Sequence, residues 1–65
     1  MEWKVICTDA DTREVIEEQR VTGADFVDGF VKCRTISTQM FHQHQTNHRE
    51  VHVDWSPVNQ QEEKP

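Results

Sequence analysis

The feature that most constrains this chain is a change of hydrophobic rhythm. Apolar and polar side chains alternate over residues 3–7 and 15–21, take helical spacing over 24–41, and alternate again over 51–55. Period two places successive side chains on opposite faces of a strand, whereas period 3.6 gathers them on one stripe of a helix. The pattern predicts a small α+β domain of the form β-β-α-β spanning residues 1–57, with residues 58–65 a flexible acidic and polar tail. With 65 residues the chain makes one domain at most. A core of that size supplies about 3–5 kcal/mol of stability, which leaves little room for a buried active site.

In the first strand Trp3, Val5 and Cys7 share a face, with Lys4, Ile6 and Thr8 on the other. Asp9-Ala10-Asp11-Thr12 is turn chemistry, because Asp carboxylates accept hydrogen bonds from nearby backbone amides. The second strand runs over about Arg13–Val21 with a polar middle, which marks an edge strand. Period two pairs Val15 with Val21 on one face and turns Ile16, Glu18 and Arg20 to the other. Thr22 followed by Asp25 reads as a capping box opening the helix. Phe26, Val27, Phe30, Cys33, Ile36, Met40 and Phe41 project onto one broad face. Gly29 is expected to cost that helix about 1 kcal/mol relative to Ala. Thr35, Ser37 and Thr38 weaken its second half, placing its end between Arg34 and Phe41. His42 to His48 is expected as a polar connector, followed by a last strand of Val51, Val53 and Trp55 that Pro57 terminates.

A tight first turn makes the first two strands antiparallel, and a right-handed crossover returns the third beside the first. The expected fold is a two-layer, three-stranded antiparallel sheet of order 2-1-3 with the helix on one face. Trp3, Val5, Cys7, Val15, Val51, Val53 and Trp55 would face that helix. Lys4, Ile6, Ile16, Glu18, His52 and Asp54 would form an open face with no second layer.

The formal charge is −5, and it is uneven: residues 1–28 hold eight acids against three basic residues. Binding a nucleic-acid backbone needs clustered Lys and Arg, so a direct nucleic-acid partner is not expected. A protein partner with a basic surface fits better. Asp9, Asp11 and Glu14 would cluster at the hairpin tip and Glu17 and Glu18 along the edge strand. With Ile6, Ile16, His52 and Asp54 these make up the candidate partner-binding set. No apolar stretch approaches the roughly 18 residues that span a bilayer, and the N-terminus lacks a signal-peptide pattern. The expectation is a cytoplasmic protein with reduced Cys7 and Cys33, although a disulfide between them would add about 3 kcal/mol in the chain-entropy model.

Two other constellations carry chemistry. His42 and His44 form an H-x-H pair, and an extended backbone would point both rings the same way. Zinc needs three or four converging nitrogen or sulfur ligands, and neither cysteine lies near this cluster. His42, His44 and His48 are therefore only secondary candidates, in a metal- or pH-responsive protein, and no cofactor is expected. Catalysis has no motif behind it: there is no G-x-S-x-G and no glycine-rich phosphate loop. A non-enzymatic protein is expected, as a monomer or as a weak homodimer acting as a structural accessory.

In order and length of elements the chain resembles the small inhibitors that bacteriophages make against host machinery, among them the podovirus inhibitors of bacterial RNA polymerase. The resemblance rests on an aromatic opening to the first strand (Trp3), the acid-rich hairpin, and a closing strand ending near a proline (Val51–Pro57). Phage proteins of similar size and acidity block CRISPR effectors. The resemblance covers layout alone and assigns no functional residue. It implies an inhibitor of a host nucleic-acid-processing enzyme, acting in the host cytoplasm through its acidic hairpin and open sheet face. The Ser/Thr-rich second half of the helix and the histidine connector depart from that layout.

Overall fold

In the computed structural model, which describes residues 1–58, three strands and one helix follow in the expected order. They are β1 (Glu2–Asp9), β2 (Val15–Thr22), α1 (Phe26–His44) and β3 (Val51–Pro57). The strands form one antiparallel sheet of order β2-β1-β3, and α1 packs on one face of it. The expected tail from Asn59 onward lies outside the described residues. Val58, assigned to that tail by its sequence, instead continues the ladder by donating its amide to the Glu2 carbonyl at 2.8 Å.

The central strand explains the core. Trp3, Val5 and Cys7 are all buried, and Val21, Cys33, Met40 and Val51 complete the buried cluster. Ile16, Ile36, Val53 and Trp55 pack at its margin. Both thiols are unbonded and buried, and burial pushes both up from their ordinary pKa, so they stay protonated.

The structure overturns one face assignment. Trp3 pairs with Val21 and Cys7 with Glu17, but Thr8 pairs with Val15. Ile16 is therefore an extra residue, a β-bulge opposite the Cys7/Thr8 step. A bulge reverses the alternation beyond it. Val15, expected in the core, is exposed, and Ile16, expected on the open face, packs against the core.

The helix start is also displaced. Asp25, not Thr22, is the N-cap: its carboxylate accepts from the Asp28 amide. Asp28 reaches back to accept from the Ala24 amide at 2.8 Å. The reciprocal cap thus forms three residues later than Thr22-Asp25, because Thr22 is still held in β2 opposite Glu2. Lys32 ties the first turn down, its ammonium lying 3.1 Å from Asp28 and donating to the Thr22 carbonyl. At the other end α1 runs to His44, beyond the expected limit. Thr35 and Thr38 turn their hydroxyls onto the Val31 and Arg34 carbonyls, a bond that lets these residues sit inside a helix.

The phase of α1 is set by Trp3. Gly29 is buried under the indole, and a Cβ there would overlap the ring. Gly23 lies directly beneath, where a Cβ would come within 2.5 Å of the Gly29 backbone. The stripe Gly29, Cys33 and Met40 consequently faces the sheet. Phe26, Val27, Phe30, Val31 and Phe41 are displaced outward and exposed, contrary to the expectation that Phe26, Val27, Phe30 and Phe41 belong to the core.

Gly29→Ala tests this seat. Propensity alone favours Ala by about 1 kcal/mol, whereas forcing a methyl into a filled core costs about 1–3 kcal/mol or more. With the added atom landing on an aromatic ring and a neighbouring glycine behind it, a net loss of about 2 kcal/mol is expected. At this chain length that lowers the thermal midpoint by roughly 10 °C. A variant as stable as the parent would show that the indole does not rest on Gly29.

Candidate functional site

The hairpin between β1 and β2 is organised by Asp9. Its Oδ1 accepts from the amides of Asp11 (2.8 Å) and Thr12 (3.0 Å), as the turn reading anticipates. The Arg13 amide donates to the Asp9 carbonyl at 2.8 Å. That closure holds Arg13 at φ 68°, a left-handed conformation that non-glycine residues adopt at some cost. These amides hold the Asp9 carboxyl below its ordinary pKa.

Much of the acidic set is already engaged. Glu17 shares the inner side of the sheet with Val21, opposite Cys7, and its Oε1 lies 2.7 Å from His44 Nε2. A carboxylate only accepts, so the His44 proton sits on Nε2 in this bond. His44, and after it Gln19, hold Glu17 below its usual pKa. Glu18 lies 3.6 Å from Lys4, and Asp9 lies 3.9 Å from Arg49. Of the five hairpin acids, only Asp11 and Glu14, both exposed at the tip, present carboxylates with no side-chain partner among the described residues.

The open sheet face exists, and it brings part of the candidate set together. Ile6 sits between Glu18 and Asp54 in register, and Thr8 pairs with His52. Asp9, His52 and Asp54 line one shallow cavity of about 450 Å3 with Thr8, Ala10 and Arg13. This face is a mixed-charge surface, with Glu2–Arg20 (3.0 Å) and Lys4–Glu18 pairs across it, rather than an acidic one.

The histidines do not converge. His42 and His44 lie in the last turn of α1, where residues two apart point about 200° apart, so the shared orientation expected of an extended H-x-H pair is lost. His42 lies edge-on to Phe41, His48 sits in the turn closed by Thr46 and Arg49, and His52 is on β3. Among the described residues no three His, Cys, Asp or Glu side chains are placed to hold a metal ion.

The largest apolar surface lies where sequence reasoning did not place it, on the outside of α1. Val27 is 68% exposed, Phe26 56%, Val31 55% and Phe30 42%. The phenyl rings of Phe26 and Phe30 stack at 6.4 Å, Phe26 meets Trp3 edge-on at 5.1 Å, and Phe30 meets Trp55 edge-on at 5.7 Å. These contacts link the strip to the core and to β3. Arg34 follows on the same side of α1, one turn beyond Val31 and two beyond Val27, and its guanidinium has no partner among the described residues. A glycine at the fourth helical position, opposite a tryptophan two residues from the start of the chain, was the available signal for this helix phase.

Neither a family model, a curated protein nor a solved structure matches the chain. No helix among the described residues is long and apolar enough to cross a membrane.

The lowered carboxyls of Asp9, Glu17 and Asp28 fix a pH dependence. Each folded pKa lies below its unfolded value, so each group contributes stability that is complete above about pH 4 and lost as pH falls through the folded value. Thermal denaturation followed by circular dichroism is expected to give a flat midpoint from neutrality down to about pH 5, then a steady fall. Glu17→Gln should make that fall shallower. A midpoint that rises on acidification would contradict the assignment.

Proposed function

We propose that this chain is a non-enzymatic protein-binding module whose docking surface is the outer face of α1. The observation that carries this reading is the row Phe26, Val27, Phe30 and Val31, exposed together on one element. Seven large hydrophobics are buried and seven are exposed among the described residues, five of the latter on α1. Using residue areas of about 150–200 Å2, the four side chains expose roughly 400 Å2 of apolar surface, the size at which a patch on a monomer is commonly a binding site. A helix presenting anchors at i, i+1, i+4 and i+5 is a familiar way to meet an apolar groove or a second helix.

The absence of catalysis in this reading is supported by the chemistry of the side chains. Both thiols are buried and protonated, the His44 ring is committed to Glu17, and the cavity on the open face is shallow. Asp11 and Glu14 at the hairpin tip remain available to a basic partner surface. Through them the resemblance to phage inhibitors of host nucleic-acid enzymes enters as a class of partner.

Capture experiments with the tagged chain, using lysate of the cells in which it is made, separate the two surfaces. The double substitution Val27→Glu/Val31→Glu changes side chains already in water, so the fold should survive and proteins recovered by the parent should be lost. Asp11→Lys/Glu14→Lys should leave recovery largely intact. The opposite pattern would move the interface from the helix to the hairpin.

A further inference from the structure

We infer that β2 is a self-pairing edge: two copies of this chain join antiparallel through their β2 strands, about a two-fold axis at Gln19, into one continuous sheet. This surface is separate from the outer face of α1 and does not depend on it.

The backbone decides which groups face outward. Met1 and Gly23 exchange both bonds, the terminal amine donating to the Gly23 carbonyl at 2.9 Å and the Gly23 amide to the Met1 carbonyl at 2.8 Å. In an antiparallel ladder such pairs alternate, and the register is unbroken from Glu17 to Thr22. Glu17, Gln19 and Val21 therefore turn their N–H and C=O to β1, and Glu18, Arg20 and Thr22 turn theirs away. The Thr22 carbonyl takes the Lys32 ammonium, whereas the backbone groups of Glu18 and Arg20 meet no partner among the described residues.

The edge of β3 is closed at both ends. Glu50 and Val58 bond to β1, so Val51, Val53, Trp55 and Pro57 face outward. Gln45 Oε1 already holds the Val51 amide, and Pro57 has no N–H to give. Pairing Val53 with the other copy's Trp55 would set Asp54 against Asp54, and like charges directly opposite are unfavourable.

On β2, charge selects both the second copy and the register. Lys4 pairs with Arg20 and Ile6 with Glu18, so these side chains share the open face, with two like charges directly opposite. Diagonal contacts offset that, Lys4 to Glu18 at 3.6 Å and Glu2 to Arg20 at 3.0 Å. A two-fold at Gln19 sets each Glu18 opposite the other copy's Arg20, and the two exchange backbone bonds. Arg20 spends Nη1 on Glu2 and keeps further N–H donors in its fork. An axis at Glu18 or at Arg20 would instead face each with its own charge. On the inner face Gln19 meets Gln19. Its Nε2 donates to Glu17, which leaves a second N–H and Oε1 for the same amide of the other copy. Charged edges repel an indifferent strand; these admit their own. The bulge at Ile16 and the Lys32 contact at Thr22 keep the paired stretch short, so the dimer should be concentration-dependent.

Sedimentation equilibrium of the whole chain from about 5 to 500 µM, with amide hydrogen exchange recorded at both ends of the range, tests this. Association is expected, with exchange at Glu18 and Arg20 slowed at the higher concentration and exchange at Val53 and Trp55 unchanged. Glu18→Arg and Arg20→Glu should each weaken association by at least about tenfold, since the two-fold makes each substitution act twice. Mixing the two variants should restore it, because every facing pair then carries opposite charges. Val27→Glu/Val31→Glu should leave association unchanged. A monomer at every concentration, protection confined to α1 or β3, or a mixture no tighter than its components would overturn the proposal. Should either variant fail to fold, the exchange map of the parent decides alone.

Discussion

The contact of Trp3 with Gly29, backed by Gly23, is the constraint from which the rest of the structure follows. The chain has two glycines, and both are spent on this single close approach. The indole is 2% exposed, and burying a ring of that size contributes about 4–6 kcal/mol. Its Nε1–H lacks a partner among the described residues, which costs about 1–3 kcal/mol. Burial wins, so the tryptophan stays in. The helix must then present the one residue without a side chain to the ring. Its phase is thereby decided before any other side chain on α1 has a say.

That order of events explains what was legible in the sequence. The strands were, because each follows period two over five or more residues and β1 is buried on one face along its length. The sheet order followed from short connections. The phase of α1 was not, because a projection that counts apolar residues points Phe26 and Phe30 inward and treats Gly29 as a defect. Steric fit overrode hydrophobic count here: a helix with phenylalanine over Trp3 could not approach the sheet. The bulge at Ile16 was hidden for a different reason. Val15 and Ile16 are both apolar and adjacent, so alternation reads equally well from either, and the choice is made by the hairpin. Asp9 closes that turn with its carboxylate, and the extra residue falls next to it.

The candidate site divided along the same line. Asp11 and Glu14 are as exposed as their position in a turn implied, and Asp9, His52 and Asp54 do share one cavity on the open face. Glu17 and Glu18 looked like free acids because their partners are distant in sequence. His44 lies 27 residues from Glu17, and Lys4 reaches Glu18 only through strand pairing. Charge counted along a chain cannot show which carboxylates the fold consumes. Here it consumes both of those on β2, and an acidic segment becomes a mixed surface.

The apolar face on α1 and the core beneath it are two consequences of one rotation. Turning the helix to hide Val27 and Val31 would bring Phe26 or Phe30 over the sheet, where Trp3 already fills the space above Gly29. Relieving that overlap would expel the largest buried side chain of a domain with few others to spare. In a sheet covered on one side by a single helix, no third layer is available to cover what the rotation exposes. Among the described residues nothing covers Val27 and Val31, so the most exposed apolar row of the fold lies opposite its tightest contact.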